Sequence, residues 1–308
     1  MPMSIRGCAM DDAAGTSVAA SSENGLPPDE RMATLWRFLA NRSFVIGSVL
    51  FLLVVLIALF AGMLAPFDPL KNNFRYRLGA PNSTHLLGTD SFGRDILSRV
   101  LHGSRVSLAI GLFVVLLTGV FGTLIGAISG YVERLDNIVM RIMDGFMAFP
   151  PILLAIAIGA VLGPSLMNAV IALTVAYTPR TARIVRASVM VVREAEYVEA
   201  ARALGAGHVR ILFKHILANC MAPLLVQLTF IFALSILAEA VLSFIGVGPQ
   251  PPTPTFGNII ADGRNYIAEA PWITIWPGIA IMMTVLGLNL LGDGLRDVLD
   301  PRLRVGGR

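Results

Sequence analysis

The chain has 308 residues, 55% of them hydrophobic and only 14% charged, with a mean hydropathy of +0.72. That balance excludes a water-soluble domain and predicts a polytopic membrane protein. The formal charge of +4 comes almost entirely from arginine, which suits phosphate-facing membrane flanks, and nothing points to nucleic acid.

Lipid offers the backbone no hydrogen bonds, and the apolar runs are too continuous for barrel alternation, so an all-α bundle is expected. Residues 1–40, rich in Ala, Ser, Gly, Asp and Pro and without periodicity, predict a disordered tail with a short helix near Met32 to Leu39. The first apolar run, Phe44 to Leu64, carries no charge and reaches the roughly 20 residues a bilayer needs, so it reads as an uncleaved first span. Five further spans follow at Val106–Gly130, Ile142–Leu162, Leu166 to about Tyr177, Leu217–Ile245 and Trp272–Leu291. The fourth is the weakest, since its apolar part stops at Pro179 and only continuation through Arg186 makes it long enough.

Arginine and lysine set the orientation. With both termini inside, 17 of the 24 basic residues fall in internal segments and 7 outside, which favours cytoplasmic termini. The expected organisation is a tail over 1–40, a span over 44–64, an external loop over 65–105, a five-helix core over 106–295 containing a cytoplasmic loop at 187–216, and a tail over 296–308. The external loop is basic for an outside segment. Asp90 can cap a helix in which Ile96 and Val100 share a face, with Asp90–Arg94 and Asp95–Arg99 as i,i+4 pairs, giving an amphipathic helix on the outer membrane surface. An ordinary solvated loop is the alternative.

Within the cytoplasmic segment, Tyr197, Ala201 and Leu204 share a helical face, Glu199 and Arg202 lie on another, and Gly205 supplies a helix stop before a basic run from Val209 to Ile216. Small Ala200 and Ala201 would let a partner approach closely. Such an element is either a docking knob or a plain amphipathic connector.

Three separated stretches carry a family resemblance. Glu199-Ala-Ala-x-x-x-Gly205, with Leu217 after it, resembles the signature loop of ABC-importer permeases, although Ala218 stands where that family often has proline. The segment His85 to Arg99, containing Gly88, Thr89, Asp90, Gly93, Arg94 and Asp95, is similar to the external motif of the second permease in dipeptide and oligopeptide importers. Leu242–Gly257 and Asn289–Arg304 are similar to the closing segments of that dipeptide, oligopeptide and nickel subfamily. The resemblance implies a type I importer permease fold in a bacterial inner membrane. It also implies a sister permease in a heterodimer, two cytoplasmic ABC ATPases that receive the Glu199–Gly205 loop, and an extracytoplasmic peptide-binding protein. The cargo is left open among dipeptides, longer peptides, glutathione-like compounds and nickel.

No catalytic residue is expected, and no cofactor bound by this chain. The only lysines, Lys71 and Lys214, are followed by Asn72 and His215, so no phosphate-binding loop exists here; ATP and Mg would belong to the ATPase partners. Four histidines lack ligand spacing, and Cys8 and Cys220 are not expected to pair. Glu239 lies in the fifth span, where a charge needs a partner, a proton or a water path, so it serves either as a structural hydrogen-bonding group or in gating. Asp144 and Asp293 sit near span ends, where a structural role is expected. Pro150-Pro151 and Pro277 predict kinks. A self-sufficient secondary transporter would show inverted repeats and mid-membrane charges, and a membrane enzyme a catalytic cluster; neither pattern is clear.

Overall fold

The computed structural model describes Met32 and residues 36–299. The compact unit that begins at Arg37 is helical, and among the described residues the sole β-type pairing is an isolated bridge between Thr89 and Asp95. Residues 1–31, including Cys8, and residues 33–35 and 300–308 lie outside the described residues.

Helix α1 (Arg42–Leu59) opens on Asn41, whose side chain accepts from the Phe44 N–H. It breaks at Phe60 and adds one turn, Ala61–Leu64, so the expected first span is a helix with a bent end. Helix α2 (Ile96–Tyr131) runs 36 residues without interruption. Its length is about 54 Å at the α-helical rise. Helices α3 (Glu133–Met147) and α4 (Pro151–Leu162) meet at 87°. Pro150 and Pro151 explain the corner: Pro151 opens α4, and the residue before a proline is pushed to extended backbone, as Pro150 shows with ψ 130. The single third span expected over 142–162 is therefore a broken pair.

Helix α5 (Leu166–Arg193) is 28 residues long and packs lengthwise on α2. Gly122, Gly126 and Gly130 of α2 make this possible. A Cβ at any of them would press into Thr181, Val185 or Val189, or the backbone beside them. Helix α6 (Glu196–Ala203) leads through a turn into α7 (His208–Ile245), which includes a π-helical stretch at Ile211–Leu217. After a loop come α8 (Phe256–Gly263) and α9 (Trp272–Leu299). Helix α9 continues helically to Leu299, so residues 296–299 extend the last helix and do not begin a tail.

Four helices, α1, α2, α7 and α9, are long and apolar enough to cross a membrane, and the bent α3–α4 pair makes a fifth if counted as one span. Helix α5 falls short on composition because Arg180, Arg183 and Arg186 occupy its second half. Its first half is nonetheless central: Ala169, Val170, Ala172 and Leu173 form the main core with Ile110 and Val114 of α2 and Ile231 and Leu242 of α7. Exposed Leu, Ile, Val and Phe line the outward faces of α1 and α2, as expected of helices solvated by lipid.

Candidate functional site

Two regions carry the motifs singled out above, and they stand at opposite ends of α2. At its N-terminal end, Asp95 is the cap: Oδ2 accepts from the Ser98 N–H and Ser98 Oγ, both at 2.8 Å, while Oδ1 lies 2.9 Å from His85 Nδ1. Gly88 and Gly93 adopt φ +79 and +72, and a Cβ at Gly93 would overlap the Asn73 carbonyl. The chain thus folds back on itself twice within ten residues. Trp272 Nε1 donates to the Thr89 carbonyl at 3.1 Å, tying this fold to α9.

Inside it lies a buried charge cluster. Asp90 is fully buried; its carboxylate accepts from the N–H groups of Phe92 and Arg94, from Arg94 Nε at 2.7 Å and from Arg99 Nη1 at 2.5 Å. Asp262 on α8 accepts from Arg94 Nη2 and Arg99 Nη1, each at 3.0 Å. Two guanidinium groups face two carboxylates, so the cluster is neutral; among its fully buried side-chain polar atoms Arg99 Nε has no partner.

This geometry corrects the amphipathic-helix expectation. Asp90 caps no helix, because residues 90–95 form a tight loop and α2 begins at Ile96. The Asp90–Arg94 pair forms as expected, but Asp95 and Arg99 turn to other partners. Arg94 and Arg99 are buried against acids rather than laid on a surface, whereas Lys71, Arg75, Arg77 and Arg105 are exposed, so the basic excess of this loop is neutralised only in part.

At the far end of α2, Arg193 Nη1 donates to the Gly130 carbonyl and Tyr131 Oη lies 2.8 Å from His208 Nδ1. These contacts seat the α6 element. Val198 is its buried anchor, packed with Val185, Val189, Ile211, Ile216 and Cys220, while Leu217 flanks that cluster. Glu199 and Ala200 are exposed and Ala201 half-buried. Helix α6 ends in a Schellman arrangement: Gly205 takes φ +82, its N–H donates to the Arg202 carbonyl, and the Ala206 N–H donates to the Ala201 carbonyl. The turn places Leu204 at its tip, 89% exposed, with Val209 72% exposed beside it. Glu199 and Arg202 form no ion pair. Tyr197 Oη donates weakly to the His215 carbonyl at 3.5 Å, and burial, with Cys220 close by, pushes its phenol above the ordinary value.

Glu239 is fully buried in α7. Its Oε2 accepts from Ser107 Oγ of α2 at 2.9 Å and its Oε1 from Ser243 Oγ at 2.7 Å, the geometry of a tie between helices. Asp144 pairs with Arg183 of α5, and Asp293 lies exposed on α9. Sequence reasoning missed Asp262, Ser107 and Val198. The first two join positions more than 130 residues apart, for which local spacing carries no signal.

Comparison with known proteins bears on both ends. Residues 122–305 match the family described as binding-protein-dependent transport system inner membrane component, and residues 32–81 match the N-terminal TM domain of oligopeptide transport permease C. A putative peptide transport system permease protein of Brucella suis biovar 1 is 54% identical over 274 residues, 89% of this chain and 93% of that protein. The di/tripeptide transport system permease protein DppC of Pseudomonas aeruginosa is 44% identical, covering 93% and 97%. The glutathione transport system permease protein GsiD of Pectobacterium atrosepticum is 44% identical, covering 90% and 94%. Among solved structures, a chain of the MetNI methionine ABC transporter in an inward-facing conformation superposes with a TM-score of 0.53 at 23% identity, over 65% of this chain and 96% of that one, a likeness of fold. A helical chain matched over most of its length in this way belongs to the family of inner membrane components of binding-protein-dependent transport systems.

Proposed function

We propose that the chain is one of two permease subunits of an ATP-driven importer for di- or oligopeptides, embedded in the inner membrane of a bacterium. Six segments cross the bilayer with both termini inside: α1, α2, the bent α3–α4 pair, α5, and the apolar parts of α7 and α9. A sister permease completes the pathway as a heterodimer, and an extracytoplasmic binding protein hands over the peptide. Two cytoplasmic ATPases hold the ATP and Mg, and this chain binds no cofactor.

The observation that carries this reading is full-length similarity to permeases named for peptide transport, coupled with a protruding helix–turn that has its own anchor and an unpartnered apolar tip. Glu199, Ala200, Ala201 and Gly205 form the surface that an ATPase receives, and Leu217 ties that surface to α7. Asp90, Arg94 and their neighbours brace the opposite, external face. Similarity to the glutathione permease favours a second cargo of closely related chemistry, a γ-linked tripeptide.

A thiol-labelling experiment tests the orientation on which this rests. In a background with Cys8 and Cys220 replaced, Ala80→Cys should react with an impermeant reagent from outside the cell and Gly207→Cys should not. Reversed labelling would overturn both the topology and the docking role. Uptake of labelled dipeptide into proteoliposomes holding both permeases, both ATPases and the binding protein should require ATP; uptake independent of ATP would overturn the importer reading.

A further inference from the structure

A cavity of about 570 Å³ opens between α5, α7 and α9, towards the end of the molecule that carries α6. Arg180 of α5, Arg296 of α9 and Gln227 of α7 line it, with Asn219, Pro223 and Phe230. Neither arginine is paired with an acid among the described residues. Gln227 is 6% exposed and its side-chain Nε2 has no hydrogen-bond partner. The Asn219 amide is already committed to the His215 carbonyl.

A buried amide donor without an acceptor costs about 1–3 kcal/mol, while Arg180 and Arg296 are exposed along the cavity and accessible to a ligand there. The two guanidinium groups and Gln227 Nε2 are donors, and no acidic side chain among the described residues lines the cavity. The group that complements these donors is an acceptor bearing negative charge. Arginine forks match a carboxylate in two parallel hydrogen bonds, and an amide N–H can add a third. Dipeptides, tripeptides and glutathione differ in side chains and linkage, yet each carries a free C-terminal carboxylate.

We propose that Arg180, Arg296 and Gln227 form a subsite for the C-terminal carboxylate of the transported peptide on the side from which it is released. The subsite rests on the peptide-importer reading, and it assigns this chain a share in recognising cargo independent of the binding protein. An anionic lipid headgroup offers the same charge, and the experiment separates the two sources.

The assembled transporter, both permeases with their ATPases, is placed without nucleotide or binding protein in nanodiscs of phosphatidylcholine. Binding of trialanine and of its C-terminal amide is measured by calorimetry. Trialanine should bind at least about tenfold more tightly than the amide, and Arg180→Gln, Arg296→Gln or Gln227→Leu should each erase most of that preference. Arg180→Lys, which keeps the charge and loses the fork, should restore part of it.

Equal binding of acid and amide, or a preference unchanged in all three variants, would overturn the proposal. So would a subsite that serves lipid: in nanodiscs containing phosphatidylglycerol, native mass spectrometry would then find lipid lost from the arginine variants while the peptide preference stayed intact. Peptide uptake by the unaltered complete transporter is measured in parallel. Absent uptake would refute the importer reading, whereas normal uptake without carboxylate preference would refute the subsite alone.

Discussion

The two ends of α2 hold motifs of similar length and opposite physical character. At the N-terminal end, residues 85–99 turn charged side chains inward, pair them across α8 and leave Asp90 and Arg99 almost without solvent. At the other end, residues 196–205 turn small and apolar side chains outward from the single buried anchor Val198. The first motif is complete within this chain. The second has an ordered backbone and an apolar tip with nothing against it, which is the condition of a surface that another protein covers. Motifs can thus serve opposite ends: the first set completes a fold within the chain, and for the second we propose a partner.

Substitutions can break that contrast, beginning with the largest expected effect. Asp90→Asn leaves Arg94 and Arg99 with only Asp262 for compensation, so stability should fall by about 3–5 kcal/mol, read as the shift of the unfolding midpoint in detergent. A change below about 1 kcal/mol would mean that water or a partner already solvates the cluster.

Glu239→Leu should cost about 1–3 kcal/mol in the same assay, because the Ser107 and Ser243 hydroxyls lose their acceptor. Glu239→Gln retains an acceptor oxygen and should cost about 1 kcal/mol or less, with uptake preserved. Uptake abolished by the Gln variant in a stable protein would replace the structural tie with a gating role.

Gly205→Val forces a β-branched residue into left-handed backbone, at a cost of about 1–2 kcal/mol confined to the α6 turn. Protease accessibility of the α6–α7 turn should rise while the global midpoint stays within error. Smallest in stability is Leu204→Ser, within about 0.5 kcal/mol, since the side chain touches almost nothing in this chain. Its effect should appear in ATPase affinity instead, as about a tenfold loss if the tip enters a pocket.

How far each end was legible in the sequence follows from the range of its contacts. The apolar runs of α1, α7 and α9, the glycine stop at Gly205 and the outward small face of α6 are local features, set by composition and by spacing of three or four residues. The Asp90–Arg94 pair was legible for the same reason. Asp262 was not, because its partnership with Arg94 and Arg99 spans more than 160 residues and exists only after α8 folds back on α2. The start of α2 was misplaced because Arg99 and Arg105 break the apolar pattern while remaining helical. Pro150-Pro151 signalled a kink, but nothing local fixed an 87° corner in place of a bent span. Val198 escaped notice because the face carrying Tyr197, Ala201 and Leu204 drew the pattern, whereas the anchoring contact comes from α5 and the π-helical turn of α7.

The central claim is that the α6 turn transmits between this chain and an ATPase while the buried brace only holds the fold. Ala201→Phe and Gly205→Val, expressed with the sister permease, the ATPases and the binding protein, test it most directly when ATPase retention and uptake of labelled dipeptide are measured on the same membranes. Both variants should insert and pair with the sister permease, yet lose ATPase retention and uptake together. Normal uptake with the ATPases fully retained in both would contradict the account and return the α6 turn to the status of a connector.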